Sequence, residues 1–304
     1  MGVVRVTQGL MVQRTLNNLN YHLRRLARLQ NELATGLKVN TPSDDPIAAR
    51  RAVNTRTSIQ KNEQYIRNIE SVGLGLTATD TSIQTTLQGL QRALELSVQG
   101  ANGTNSQTQL DSIASEINQL LEEVVVQANQ QASGRYIFGG TRTLNPPFVA
   151  ARDAEGDIIA VSYEGNDERT SIAISDGITV NVNEPGSDVF LPRQDVFQVL
   201  IDIRDSLRAG DQASIQNVLL EELDTSMDQL LISMARVGAV QNRLERSSAN
   251  IEEFNIELQT LLSDTIDADY AETIINLNAQ SNAFQAALNA GARVIQPSLL
   301  DFVR

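Results

Sequence analysis

Residues 237–261 read VGAVQNRLERSSANIEEFNIELQTL. Apolar residues stand at Val237, Val240, Leu244, Ile251, Phe254, Leu258 and Leu261, in steps of three and four, with Ser247 the one polar residue in the seam. A strand needs a period of two, so this spacing predicts a helix with one apolar stripe. Upstream, Leu219, Leu223 and Leu230 extend the stripe, and the helix is expected to run from near Asp211 to about Thr265. Some fifty residues at ~1.5 Å each make a rod of roughly 75 Å. So long a periodic helix without internal caps predicts a coiled coil rather than a globular domain.

Working outward, the register slips near Ala268–Ala271, and a last helix carries Ile274, Leu277, Phe284, Leu288 and Ile295 before Pro297 stops it. On the N-terminal side, Val199, Ile203 and Leu207 form a short helix closed by Gly210. The first half of the chain repeats the helical period. Leu16, Leu19, Leu23, Leu26, Leu33 and Leu37 make one stripe with Gln30 as its lapse, and Thr41-Pro42-Ser43 breaks it. Ser43 or Asp44 is expected to cap the next helix, with Pro46 in its first turn. That helix holds Ile59, Ile66, Ile69, Leu76, Ile83, Leu87, Leu90 and Leu94 on its stripe, Gly100-Ala101-Asn102-Gly103 turns the chain, and a third helix runs through Leu110, Ile113, Ile117, Leu120 and Val124.

Residues 135–192 differ in character. Four of the seven prolines lie there, and Ile158–Tyr163, residues 170–174 and residues 178–182 read as strands, the last two joined at Asp176-Gly177. A mainly α fold therefore carries a small central β domain inserted between two helical halves. The insert is expected to contribute little to the heptad seams, so that residues 141–190 could be replaced by a short loop without loss of the helical fold.

Composition narrows the function. With 41 % hydrophobic but only 4 % aromatic residues, no Trp and no Cys, the core must be aliphatic, which suits helical packing. A net charge of −13 argues against nucleic acid as a partner. No apolar run approaches the ~20 residues of a membrane span, and the start, Met1-Gly2-Val3-Val4-Arg5-Val6, lacks the layout of a cleaved signal peptide. Charge is uneven: residues 1–61 hold ten Lys/Arg against three Asp/Glu, and residues 201–304 hold seven against sixteen. Opposite signs are a reason for the two ends to lie together, while solvated helix faces would give the same counts.

Candidate chemistry is sparse. The one histidine, His22, has no second His and no Cys to share a metal or relay a proton. Asp44-Asp45 ahead of Pro46 reads as a helix start. Asp264, Asp267 and Asp269 lack the glycine and terminal glutamate of a calcium loop, and Gly73-Leu74-Gly75 sits in a helical stripe without a phosphate-loop lysine. These residues point to no catalytic, cofactor or metal site, and the expectation is a protein that is not an enzyme.

Several stretches match a known pattern. Gln13-Arg14-Thr15-Leu16, residues 33–40 (LATGLKVN) and Ser43-Asp44-Asp45-Pro46 resemble the N-terminal signature of bacterial flagellins; Asp267-Ala268-Asp269-Tyr270-Ala271-Glu272 and Gln296-Pro297-Ser298-Leu299-Leu300 resemble their C-terminus. The match covers about the first 100 and last 80 residues. Within that family, residues 133–141 (SGRYIFGGT), Tyr163-Glu164-Gly165-Asn166 and Leu299-Leu300-Asp301-Phe302 are similar to its hook-associated members, although the closing Val303-Arg304 departs from them.

The resemblance implies long antiparallel coiled-coil helices from both chain ends in a rod-like bundle. Residues 1–40 with 265–304 would line an inner tube and be disordered in the monomer; 41–134 with 193–264 would form a helical bundle; 135–192 would be an exposed β-rich domain. It also implies a ring or tube of like subunits, contact with hook-associated protein 1 and flagellin, an export chaperone, and uncleaved secretion through the flagellar type III apparatus to the extracellular flagellum. The surfaces expected to meet subunits and chaperone are Leu16, Leu19, Leu23, Leu26 and Leu33 at one end, and Phe284, Leu288, Ile295, Leu299, Leu300 and Phe302 at the other. The resemblance at residues 133–141 favours a junction between hook and filament, with a minor filament flagellin as the alternative and a cytosolic coiled-coil scaffold as the remote one.

Overall fold

The computed structural model describes residues 8–295. The chain divides into two compact units: the two chain ends, up to Lys61 and from Phe254, make one, and Asn62–Glu253 makes the other.

In the first unit, α1 (Gln8–Thr35) lies antiparallel along α8 (Tyr270–Ile295). Helix α1 stops because Gly36 enters the left-handed region at φ +74°, a conformation that costs a side-chain-bearing residue. The turn that follows is clasped to the turn before α8. Leu37 and Asp267 form an antiparallel bridge, Lys38 N donates to Ile266 O at 2.7 Å, and Ala268 N donates to Gly36 O at 2.8 Å. Helix α2 (Pro46–Gly100) is capped by Asp45, whose Oδ1 accepts from the amides of Ile47 and Ala48, rather than by Ser43 or Asp44. Asp44 instead braces the preceding turn, accepting from the amides of Asn40 and Thr41 and from the Thr41 hydroxyl.

The second unit is built on α2, α3 (Gln107–Ala128), α5 (Val196–Ala209) and α7 (Leu220–Ile266). Its aliphatic core takes Leu76, Ile83 and Leu90 from α2, Ile113, Ile117 and Leu121 from α3, Leu200, Ile203 and Leu207 from α5, and Leu223, Leu230, Val237 and Leu244 from α7, all buried. Asp195 caps α5 through the amides of Phe197 and Gln198, and Gly210 at φ +71° ends it. The long helix has a break that the periodicity does not announce. A short turn α6 (Gln212–Ser214) and a π-helical turn over Ile215–Leu219 precede α7, with Ile215 and Leu219 both buried in the core.

The β insert is three separate antiparallel hairpins, not one sheet: β1 (Gln131–Ala132) with β2 (Arg135–Tyr136), β3 (Phe148–Arg152) with β4 (Ile158–Tyr163), and β5 (Ser171–Ser175) with β6 (Ile178–Asn181). A short helix α4 (Gly186–Phe190) follows. Nor is the insert peripheral to the core. Phe138, Phe148, Ile158, Ile174, Val189 and Phe190 are buried in the same cluster as the helices, and Phe148 and Phe190 meet Phe197 of α5 at ring-centroid distances of 5.0 and 5.6 Å. Strand β5 is also held by hydrogen bonds from Asn68 of α2 to Ala173 O and from Ser247 of α7 to Ile174 O. The one polar residue in the α7 seam is thus where a strand, not a helix, packs. The expectation that the insert could be cut away does not stand.

Candidate assembly interface

Two arrangements have the character of functional surfaces: the pair of end helices, and a knot of glycines and polar side chains in the insert.

On α1 the single predicted stripe resolves into two rows. The row against α8 is Thr15, Leu19, His22, Leu26, Leu29 and Leu33, spaced by three and four. Leu29, absent from the predicted stripe, is the buried residue among them, and Leu19, Leu26 and Leu33 are half-buried. His22 belongs to the same row: its Nδ1 lies 2.7 Å from Nε2 of Gln280, a residue 8 % exposed on α8. Further along, a Cβ on Gly291 would come within 2.8 Å of Thr15 Cγ2, so a glycine there lets the helices approach closely. Leu16 and Leu23 form the second row. They are 44 % and 47 % exposed and face away from α8.

Helix α8 is likewise two-faced. Thr273, Leu277, Gln280, Phe284, Ala287 and Gly291 are buried or half-buried, whereas Ile274 and Leu288 are 48 % and 45 % exposed. Ile295 ends the helix, and Leu299, Leu300 and Phe302 lie outside the described residues. The α7 stripe changes in the same way at the boundary of the units. It is buried at Val237, Leu244 and Ile251 and half-buried at Val240, while Phe254 and Leu261 are 50 % and 43 % exposed. The apolar rows of α1, α8 and the end of α7 thus continue past their intramolecular partners.

Two of the acidic residues that the sequence set aside as metal ligands, Asp267 and Asp269, have local structural roles. Asp269 Oδ1 caps α8 through the amides of Ala271 and Glu272, and Asp267 Oδ2 accepts from the Ser263 hydroxyl at 2.6 Å. No helix among the described residues is long and apolar enough to cross a membrane.

The second arrangement joins the two insert motifs, residues 133–141 and Tyr163-Glu164-Gly165-Asn166. Ser133 and Gly134, at φ +51° and +75°, turn the β1–β2 hairpin so that Phe138 reaches the aromatic cluster. The chain then doubles back at Gly139-Gly140. A Cβ on Gly139 would overlap Arg142 O, and one on Gly140, at φ +66°, would overlap the backbone and side-chain oxygens of Asn166. Thr141 N donates to Asn166 Oδ1 at 2.8 Å, and Asn166 Nδ2 donates to Thr141 Oγ1 at 2.7 Å. Tyr163 Oη lies 3.0 Å from the carbonyls of both Phe138 and Asn166, and burial holds its phenol above the usual range. Asn183 Nδ2 donates to Gly140 O. The two motifs are one interlocked structure, which fixes the hairpins on the helical bundle.

Among the buried polar residues that sequence reasoning missed in this unit are Arg204 and Gln229. Arg204, 2 % exposed, binds Asp205 Oδ1, Asn118 Oδ1 and the Ile158 carbonyl, tying α5 to α3 and β4. Gln229, 2 % exposed, accepts from the amides of Arg193 and Gln194 and donates to the carbonyls of Phe190 and Gln194. Both are polar residues on apolar faces, a signal visible in the sequence only as interruptions of a stripe.

The bacterial flagellin N-terminal helical region matches residues 6–143, and the bacterial flagellin C-terminal helical region matches residues 220–303. Over nearly its whole length the chain is similar to flagellar hook-associated protein 3 of Escherichia coli, at 27 % identity over 94 % of this chain and 96 % of that protein. Similarity to a flagellin of Salmonella muenchen is 34 %, but covers 51 % of this chain and 28 % of the flagellin. Among solved structures, the crystal structure of Bacillus cereus FlgL superimposes with a TM-score of 0.56 at 28 % identity, covering 69 % of this chain and 97 % of that one.

Proposed function

Because the chain belongs to the bacterial flagellin family, we propose that it is the structural subunit that joins the flagellar hook to the filament. The observation that carries this reading is the extent of similarity. It spans 94 % of the chain against hook-associated protein 3, through the insert as well as the ends, whereas the flagellin match covers about half.

In this reading the end helices, within residues 1–40 and 265–304, line an inner tube of like subunits. The outward rows, Leu16 and Leu23 on α1 and Ile274 and Leu288 on α8, are covered there by neighbouring copies. Each such side chain removed from water adds about 1.5–3 kcal/mol when fully buried. The same rows, with Phe284, Ile295, Leu299, Leu300 and Phe302, bind an export chaperone before secretion. In isolated monomer the outward rows of α1 and α8 lack these partners, and the two helices are disordered. Residues 41–134 with 193–264 form the bundle outside the tube, and residues 135–192 the outermost hairpins, set at a fixed angle by the Gly140–Asn166 knot. One edge of the ring meets hook-associated protein 1 and the other receives flagellin. The chain reaches this place uncleaved through the flagellar type III apparatus, and its work is mechanical fit rather than catalysis.

Deleting the gene tests the reading. Cells without this chain should build hooks but no filaments, and release flagellin into the medium as monomer. Filaments of normal length on such cells would overturn the proposal.

A further inference from the structure

The unit formed by the chain ends carries two charged faces of opposite sign that do not meet each other. On α1, Arg14, Arg24, Arg25 and Arg28 fall within an arc of about 100°, at the ~100° per residue of an α-helix. This arc lies on the flank of the α8-facing row opposite to Leu16 and Leu23. All four arginines are exposed, and Arg24, Arg25 and Arg28 line a groove with Tyr21. Among the described residues only Arg28 has an ion-pair partner, Glu32 of its own helix at 2.9 Å; Arg24 Nε donates to the Asn20 carbonyl. On α7, Glu257 and Asp264 stand seven residues apart on the side away from the buried Asn255 and Ile266. They are exposed, and neither carboxylate forms an ion pair among the described residues, while the Lys38 ammonium donates to the backbone carbonyl of Asp264 at 2.7 Å.

Like charges packed along one helix face repel, and arginines spaced four apart destabilise the isolated helix. In a chain of net charge −13, this row concentrates basic charge on one face of α1, as Arg50, Arg51 and Arg56 do near the start of α2. Two faces that complement each other but not themselves, carried by one compact unit, are the requirement for head-to-tail association. That contact propagates as a ring or helix instead of closing as a two-fold dimer. Arginine forks pair with carboxylates in a fixed geometry, so such a contact sets register as well as attraction.

We propose that the arginine face of α1 docks on the Glu257–Asp264 face of α7 in a second copy of this chain, as the head-to-tail contact of the assembled ring. This rests on the reading of the chain as a polymerising flagellar subunit. Two experiments test it in cells carrying the full chain. In the first, R24E/R25E/R28E and E257R/D264R are expressed separately and together. Each alone should cut filament number at least tenfold while still appearing in the medium. Co-expression should restore filaments to within twofold of wild type, because alternating copies again place acid against base. In the second, R25C and D264C are co-expressed as separate chains. With no native cysteine, isolated flagella should give an oxidant-dependent dimer of this chain that neither variant gives alone. Exported variants without rescue and without the mixed dimer would assign the arginines to some other partner and overturn the proposal. If cells lacking the chain grow normal filaments, the junction reading fails; if they do not but rescue is absent, only this contact fails.

Discussion

Replacing Gly140 by alanine separates the two reasons why the insert needs a glycine there. At φ +66° a Cβ is disfavoured by about 1–2 kcal/mol whatever surrounds it. The methyl would also overlap both oxygens of Asn166, so Asn166 must move. Its hydrogen bonds to Thr141 N and Thr141 Oγ1, and the contact of Tyr163 Oη with its carbonyl, then weaken or break. At about 0.5–1.5 kcal/mol each, these three interactions bring the expected loss to about 3–6 kcal/mol. Gly177, in the β5–β6 turn, is the control. Its φ is +69°, but no heavy atom lies within 4 Å of a Cβ built on it, so Gly177→Ala should cost only the conformational ~1–2 kcal/mol. Urea denaturation of both full-length variants, followed by far-ultraviolet circular dichroism, gives the comparison. Equal midpoints for the two would show that Asn166 is not held against the Gly140 backbone and that the interlocked motif is drawn wrongly.

Replacing residues 141–190 with a short loop should abolish the cooperative thermal transition of the bundle, since it removes Phe148, Ile158 and Phe190 from beside Phe197; a wild-type melt would show the insert to be dispensable. Changing Phe284 and Leu288 together to serine should leave the unit of residues 62–253 melting as in wild type while cells shed flagellin as monomer; normal filaments holding the variant would clear this surface of any role. Stability should fall as pH drops below the ordinary carboxylate value of 3.8. The Arg208 hydrogen bond lowers the Asp157 carboxyl, the Thr41 amide lowers Asp44, and Ser214 lowers Asp211, so the unfolded chain binds these protons first and their contribution, complete above 3.8, is lost as pH falls through the folded values. Asp195, raised by burial, runs the other way but stands alone against three; Asp157→Asn should flatten the acid slope, and denaturation at pH 3 and pH 6 checks it.

How much of this was legible in the residues depends on whether the signal was periodic or relational. The helices were, because apolar spacing of three and four survives any detail of packing, and Gly36, Pro46, Gly100 and Gly210 mark their ends by backbone chemistry alone. Strand β3 was not, since Phe148–Arg152 is short, follows two prolines and alternates weakly. The π-helical turn at Ile215–Leu219 was not, because a single extra residue leaves steps of three and four nearly intact. The predicted stripe on α1 merged two rows, as leucines at steps of three and four fit either face; which of them α8 covers is decided by residues such as Gln280 and Gly291, more than 250 positions away. The same holds for the insert. Its motifs were visible as strings, but that Gly140 meets Asn166 and that Phe148 meets Phe197 are facts about distant partners, and a local reading placed the segment outside the core.

The central claim is a location, and labelling tests it most directly. A small epitope or single-cysteine tag placed on the exposed Gly156 turn, in a chain shown to support motility, should mark one thin band where the hook ends and the filament begins. Label spread along the filament would contradict the junction reading in favour of a minor flagellin, and label confined to the cytosol would contradict it in favour of a scaffold.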